Sequence, residues 1–476
     1  MAAVGEDVAH IILFYKYFPP PQEGNDAVDN ERWESLIDFQ EQICKDCNLC
    51  GRVLVSYQGL NGTLSGRESD VEKYTAAVEG WTHKGSSYFE SVDWKHSTAA
   101  LGKEPFPDLQ VRKVKELVAS GNMPYDIERD GGKHLSPEEF HAVLEEAPED
   151  LVVLDVRNRF EYAIGHFVDK SGRTAKDPNM RNFTQFKHYI DAVGPQMLDG
   201  KRVLMYCTGG IRCETASAYV RSKGLAKDVC QLSGGIHRYC EKYGDKGYFK
   251  GKNFVFDRRI AMSPPASEVA DAGDGSAQSS DKVVGQCSEC GKVFDELRGG
   301  MVCTACVCLV LVCSECTARG VPLYEGAGEE LPRRREWYCK EHAYLRGEYF
   351  TFLDAFGVSE LERQRERLGS TLLRVEEEDR LAAEKNPGRV PRGEEKKEEQ
   401  AGRKGNKKKK KNTDPRQRAL TLRRQIKRVE DRIALLQKEG APPLANADAL
   451  PCRCCRKAGC DGYCWGYWKA PSTALK

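Results

Sequence analysis

The chain contains no run of about eighteen apolar residues, so no membrane-spanning helix is expected. It also lacks a net charge of consequence, +1 over 476 residues, so no global basic or acidic field can carry its function. Its first ten residues hold two acids and no arginine, then pass into strand-like Ile11–Tyr17; this is neither a signal nor a transit peptide. Without a secretion signal, its 20 cysteines read as reduced thiols in the cytosol, used for metal binding and catalysis rather than disulfides. No flavin or nucleotide fingerprint occurs, and no two-His-one-carboxylate set stands out, so neither cofactor is expected.

A chain this long exceeds one core and implies about three or four domains. Residues 9–105 alternate strand and helix signals: strand Ile11–Tyr17, a helix over Asp29–Cys47, strand Arg52–Tyr57, a turn at Gly59-Leu60-Asn61-Gly62, and a return strand at Thr63–Ser65. A helix to Glu79 follows, with Ser69 and Glu72 at capping-box spacing. This β-α-β-β-α-β order predicts a ferredoxin-like (acylphosphatase-like) α/β sandwich. A connector is expected over 106–133. Over 134–262, the capping box Ser136-Pro137-Glu138-Glu139 opens a helix, and the apolar strands Leu151–Asp155, Val203–Tyr206 and Val229–Leu232 alternate with helical patterns. That alternation predicts a parallel sheet with its ligand site at the carboxyl ends of the strands, where Asp155 and Cys207 stand. Residues 263–286 read as a linker, 287–345 as a cysteine-rich module, 346–450 as a charged helical and low-complexity region, and 451–468 as a small cysteine cluster.

Strand Val203–Tyr206 runs into Cys207-Thr208-Gly209-Gly210-Ile211-Arg212-Cys213. The two glycines let backbone N–H groups converge on the Cys207 sulfur, and the helix beginning near Arg212 aims its positive end at the same point. With the Arg212 charge, these groups should hold Cys207 as a thiolate nucleophile. Four residues separate Cys207 from Arg212. Cysteine phosphatases have five, a wider cradle for a phosphoryl group, whereas the narrower ring suits a persulfide. Cys213 reads either as a resolving thiol for an oxidised or persulfidated Cys207 or as a core residue.

These residues, together with Leu154-Asp155-Val156-Arg157-Asn158, Glu161, Gly165-His166 and Leu232-Ser233-Gly234-Gly235-Ile236, resemble a rhodanese domain. With Phe14-Tyr15-Lys16-Tyr17, Gly51–Val55, Gly59–Gly66 and Phe254–Asp257, the pattern over about 9–345 resembles, more narrowly, rhodanese-containing tRNA uridine hydroxylases and their eukaryotic thiosulfate sulfurtransferase-like relatives. The resemblance implies oxygen-dependent 5-hydroxylation of the wobble uridine with Cys207 catalytic. The alternative is transfer of sulfane sulfur from thiosulfate or a persulfide donor to an acceptor thiol, with a donor or acceptor protein as partner. It further implies that Asp155, Arg157 and Glu161 support the active-site loop. The sequence departs from the family at Gln58, where an acid is usual, and in everything from about residue 346 onward.

Cys287-x-x-Cys290, Cys303-x-x-Cys306, Cys313-x-x-Cys316 and Cys339-x-x-His342 offer eight ligands, enough for two structural Zn²⁺ ions paired sequentially or crossed; Cys308 could replace Cys306. Cys452, Cys454, Cys455, Cys460 and Cys464, beside Trp465 and Trp468, could bind a further zinc. Cys44, Cys47 and Cys50 resemble an iron–sulfur run only superficially and read as packed or exposed thiols. In the C-terminal region, Leu422, Ile426, Val429, Ile433 and Leu436 form a heptad seam too short for a coiled-coil assignment. Lys407–Lys411 and a helix carrying Arg423, Arg424, Lys427 and Arg428 could contact RNA phosphates or serve nuclear import, and Lys16 and Arg52 are further candidate RNA contacts. tRNA in the cytoplasm, with the nucleus as an alternative, is the expected setting.

Overall fold

The computed structural model describes residues 8–19, 26–100, 105–121, 123–266, 283–320, 336–346, 353, 356–384 and 415–439. They divide into two compact units, one running to Gly299 and one beginning at Gly300.

The first unit opens with β1 (Val8–Tyr17), α1 (Asp26–Asp46), β2 (Cys50–Ser56), β3 (Gly59–Gly66), α2 (Glu68–Glu79) and β4 (Lys95–Ala100). The sheet order is β4-β1-β3-β2, the ferredoxin-like arrangement, and β5 (Leu109–Lys113) extends it by pairing parallel to β2. The stretch read as a connector therefore contributes a strand. One sheet face, with Ile12, Phe14, Val53, Val55, Leu60 and Leu64, packs on the two helices. Cys44 and Cys47 are buried in that layer, and burial pushes the Cys44 thiol up to about 12, the behaviour of a packed thiol.

Two local expectations fail here for physical reasons. Gly59 to Gly62 are not a turn but the start of β3. A Cβ on Gly59 would lie 1.9 Å from the Lys16 carbonyl oxygen, and one on Gly62 would lie 2.6 Å from the Phe14 ring. These glycines thus allow close approach of the neighbouring strand, as glycine within a sheet often does. Nor does Ser69 cap α2. Because β3 runs to Gly66, the helix starts at Glu68 with Arg67 as a cap that makes no side-chain bond, and Glu68 and Asp70 serve the helix dipole instead.

The second domain is a parallel sheet in the order β6-β9-β8-β7, made of β6 (Lys133–Leu135), β7 (Leu151–Asp155), β8 (Arg202–Tyr206) and β9 (Asp228–Leu232). The expected Ser136 capping box is present at the start of α3 (Pro137–Glu146). Strand parity sorts the core into two layers. Val152, Leu154, Val203 and Met205 face α4 (Phe186–Met197) and α5 (Ile211–Ser222), whereas Val153, Leu204, Tyr206 and Leu232 face α3 and α6 (Gly235–Tyr243). In register, Tyr206 pairs with Asp155, so the ends of β7 and β8 stand side by side and present the loop after Tyr206.

In the second unit, α7 (Val358–Glu384) and α8 (Pro415–Glu439) pack together, with Leu361, Leu368 and Val375 against Leu422, Val429, Ile433 and Leu436. The heptad seam is thus satisfied within the chain. Glu376 and Glu378 of α7 receive Arg423 and Arg418 of α8 at 2.6 and 2.8 Å, so part of the basic helix is matched internally. Lys427 pairs with Asp431 at 3.2 Å and Arg428 donates to Gln425 at 2.8 Å, while Arg424 is exposed. Lys407–Lys411, the cysteines from Cys452 to Cys464, Trp465 and Trp468 lie outside the described residues. Among the described residues no helix is long and apolar enough to cross a membrane.

Candidate active site

Cys207 directly follows β8, fully buried, and α5 begins four residues later. Gly210 adopts φ 103°, a backbone open to glycine, which turns its N–H back to donate to Cys207 Sγ at 3.1 Å. The loop is pinned from behind: the N–H groups of Ile236 and His237, in the first turn of α6, donate to the carbonyls of Cys207 and Thr208 at 2.9 and 3.1 Å. Burial alone would push the Cys207 thiol up. It is outweighed by the neighbouring Cys213 thiol, the Arg212 charge and the N–H groups of Arg212 and Gly210, which leave the pKa lowered to about 6. Cys213 shifts the opposite way, raised by burial and by the neighbouring sulfur. It is packed in the core.

Arg212 does not point freely into the loop. Its guanidinium meets Glu161 in a fork, Nη1 to Oε2 and Nη2 to Oε1, each at 2.8 Å, and Nη2 also reaches Thr208 Oγ1 at 3.3 Å. Glu161 lies in a single helical turn after β7 and is fully buried. Asp155 and Arg157 form a second buried fork, 3.0 and 2.7 Å, with Arg157 Nη2 donating also to the Gly165 carbonyl at 2.6 Å. Both pairs are charge-assisted and buried, which fixes the strand ends that carry the loop. Thr208, Gly209 and Ile211 line the cavity above the sulfur, as do Cys207 and Arg212.

That cavity, about 290 Å³, is the size of a small-molecule site. Its roof is the face of the N-terminal sheet turned away from the helices, carrying Leu13, Tyr15, Leu54, Asn61 and Thr63. The two domains are tied by Arg238, which meets Asp93 at 2.6 Å, by Arg259, which donates to Ser97 at 3.0 Å, and by the Tyr15 hydroxyl, which donates to Glu214 at 2.9 Å. Glu214, next to Cys213, also receives Gln231 at 2.9 Å and contacts His134 at 2.9 Å; despite burial these partners keep its carboxyl below its ordinary value. Sequence reading missed this roof and the Glu214 hub. Strand parity was the available signal, since Leu13 and Tyr15 alternate with buried Ile12 and Phe14, but parity does not say what covers the second face.

Of the candidate RNA contacts, Lys16 donates from the surface to the Glu90 carbonyl at 2.7 Å. Arg52 is only 1 % exposed and pairs with Asp108 while lining the cavity, so a ligand could reach it only from inside. Gln58 braces the chain: its amide donates to the Tyr125 hydroxyl at 2.9 Å and its carbonyl accepts from Leu117 N–H at 3.2 Å.

In the second unit, Cys303, Cys306, Cys339 and His342 bring one donor atom each within 4.8 Å of all the others. Cys306 and Cys339 sulfurs stand 3.9 Å apart, and His342 Nδ1 lies 3.7 Å from Cys303 and 3.2 Å from Cys339. A tetrahedral ion with metal–sulfur bonds of about 2.3 Å requires S···S edges of roughly 3.8 Å, so this soft donor set fits such a metal. The set joins the second Cys pair to the fourth, the crossed arrangement. Cys308 lies outside this set, its sulfur 3.2 Å from that of Cys306.

Residues 9–117 match the UPF0176 acylphosphatase-like domain, 136–242 the rhodanese-like domain and 250–322 the rhodanese C-terminal domain. The chain is 34% identical over 322 residues to the tRNA uridine(34) hydroxylase of Rhodococcus jostii, covering 65% of this chain and 98% of that protein. It is 31% identical over 339 residues to the tRNA uridine(34) hydroxylase of Corynebacterium diphtheriae, covering 70% and 96%. It is 37% identical over 332 residues to rhodanese-like domain-containing protein 6 of Arabidopsis thaliana, covering 66% of this chain but only 52% of that relative, about half its length.

Proposed function

Because the chain belongs to the tRNA uridine(34) hydroxylase family, matching its Rhodococcus jostii member over 98% of that protein's length, we propose that it hydroxylates carbon 5 of uridine 34 in tRNA, with dioxygen as oxidant and Cys207 as nucleophile. The observation that carries this reading is the Cys207 sulfur, with its pKa lowered to about 6, beneath a cavity roofed by the N-terminal sheet. A simple sulfurtransferase has no use for such a roof. An enzyme acting on an unstacked base needs a lined pocket to receive it. In this scheme the thiolate adds to carbon 6 of uracil, the electron pair moves onto carbon 5 and the adjoining carbon 4 carbonyl, and carbon 5 attacks dioxygen; one oxygen atom stays on carbon 5, and a thiol reductant supplies the two electrons that carry the other to water. Zinc is the metal best matched to Cys303, Cys306, Cys339 and His342, with a structural role, since three thiolates and an imidazole supply all four ligands of a tetrahedral ion. A tRNA substrate and reduced thiols suit a cytoplasmic site of action.

The test is nucleoside mass spectrometry of tRNA from cells lacking the protein, complemented with wild type or Cys207→Ser. Loss of 5-hydroxyuridine, restored by the wild type alone, is the expected result. Normal 5-hydroxyuridine without the protein, together with thiosulfate:cyanide transfer by the purified enzyme, would move the assignment to sulfurtransferase.

A further inference from the structure

Hydroxylation by dioxygen puts one oxygen atom on carbon 5 and the other into water, which consumes two electrons beyond those of the substrate. Among the described residues of the first unit, an arrangement beside the reacting atoms holds two electrons: Cys207 and Cys213. Both side chains are fully buried in one core layer, both are free thiols, and each thiol acts on the ionisation of the other, Cys213 favouring the charged form of Cys207. The backbone enforces the approach. Gly210 N–H turns to Cys207 Sγ at 3.1 Å, and the Gly210 carbonyl accepts from Cys213 N–H at 2.9 Å, so one residue of the loop is bonded to both the sulfur of Cys207 and the backbone of Cys213. Cys207 lines the cavity and Cys213 stands behind it, outside the lining. Cys230 and Cys240 lie in the opposite core layer, and Cys44 and Cys47 lie beneath the other face of the N-terminal sheet.

We propose that Cys207 and Cys213 are the reductant of the hydroxylation, ending each turnover as a disulfide. The inference rests on the hydroxylase reading above. Carbon 5 of the Cys207 adduct attacks dioxygen and the resulting peroxide takes a proton. Loss of the carbon 5 proton then expels the Cys207 thiolate from carbon 6, restores the ring double bond and leaves a 5-hydroperoxide. The freed thiolate attacks the distal peroxide oxygen. An S–O bond forms, the O–O bond breaks, and the proximal oxygen stays on carbon 5 as the product hydroxyl. The Cys213 thiol attacks the resulting Cys207 sulfenic acid, forming S–S and releasing water. In total, one uridine, one dioxygen and two thiols become one 5-hydroxyuridine, one water and one disulfide. A dithiol reductant, small molecule or protein, must then reopen the bond by exchange at Cys207, the sulfur exposed to the cavity.

The experiment uses the full chain, pre-reduced and freed of thiols, with air and a tRNA bearing unmodified uridine 34. In the wild type, product should stop at one 5-hydroxyuridine per chain. Peptide mass spectrometry should then show Cys207 joined to Cys213, and added dithiol should restart turnover. Cys213→Ser should accumulate a Cys207 sulfenic acid, trapped by a cyclic 1,3-dione, and its dithiol-driven turnover should fall about tenfold or more, because an unresolved sulfenic acid is diverted to other products. Product formed by the wild type with both thiols still free overturns the proposal and leaves the hydroxylase reading standing; this measurement does not depend on how well any variant folds. Absence of 5-hydroxyuridine, with or without dithiol, overturns both.

Discussion

The Cys207 thiol can be titrated directly by alkylation. A pKa of about 6 makes the sulfur about nine-tenths thiolate at pH 7, against roughly one per cent for an unshifted thiol near 9. Alkylation by a small reagent such as iodoacetamide, followed on the peptide containing Cys207, should therefore rise through a midpoint near pH 6 and level off above it. Burial lowers the absolute rate without moving the midpoint. Replacing Cys213 with alanine removes the neighbouring thiol that favours the charged form, a contribution of about 1.5–3 kcal/mol if it acts as a hydrogen bond to an ion. At about 1.4 kcal/mol per pKa unit, the midpoint should climb by roughly one to two units. The same shift has a signature in stability. The folded pKa is depressed, so the thiolate's contribution is complete above the unfolded value, roughly 8.5, and is lost as pH falls through about 6. Wild type should therefore gain stability relative to Cys207→Ser as the pH rises from 6 to 9. A wild-type midpoint near 8.5, or a Cys213→Ala midpoint unchanged from wild type, would refute the electrostatic argument for this loop.

Three further outcomes are expected. Asp155→Ala leaves the fully buried Arg157 guanidinium without its partner, which should cost about 3–5 kcal/mol and show as a marked fall in the melting temperature of the first unit. Tyr15→Phe removes the hydrogen bond from the roof to Glu214 while His134 and Gln231 remain, so stability should drop by about 1 kcal/mol in denaturant unfolding. Atomic emission analysis should find two metal ions per chain if 452–464 binds none. A chelator should unfold the cysteine-rich module, as seen by proteolysis, while the rhodanese sheet keeps its circular dichroism.

The sequence by itself determined what depends on neighbours along the chain. The turn of Cys207 to Arg212, the N-cap at Ser136, the alternation of strand and helix over 134–262 and the four Cys-x-x pairs are local patterns, each readable because a few consecutive residues set the geometry. Where a local pattern misled, at Gly59–Gly62 and Ser69, a strand passing alongside outweighed turn and cap preference. Only the tertiary structure decided that Cys303 and Cys306 come together with Cys339 and His342, that Arg212 is held by Glu161, and that Tyr15 and Asn61 roof the thiolate. A strand's two-residue period tells which side chains share a face. What that face meets is set by how whole layers close on one another, and no local spacing encodes it.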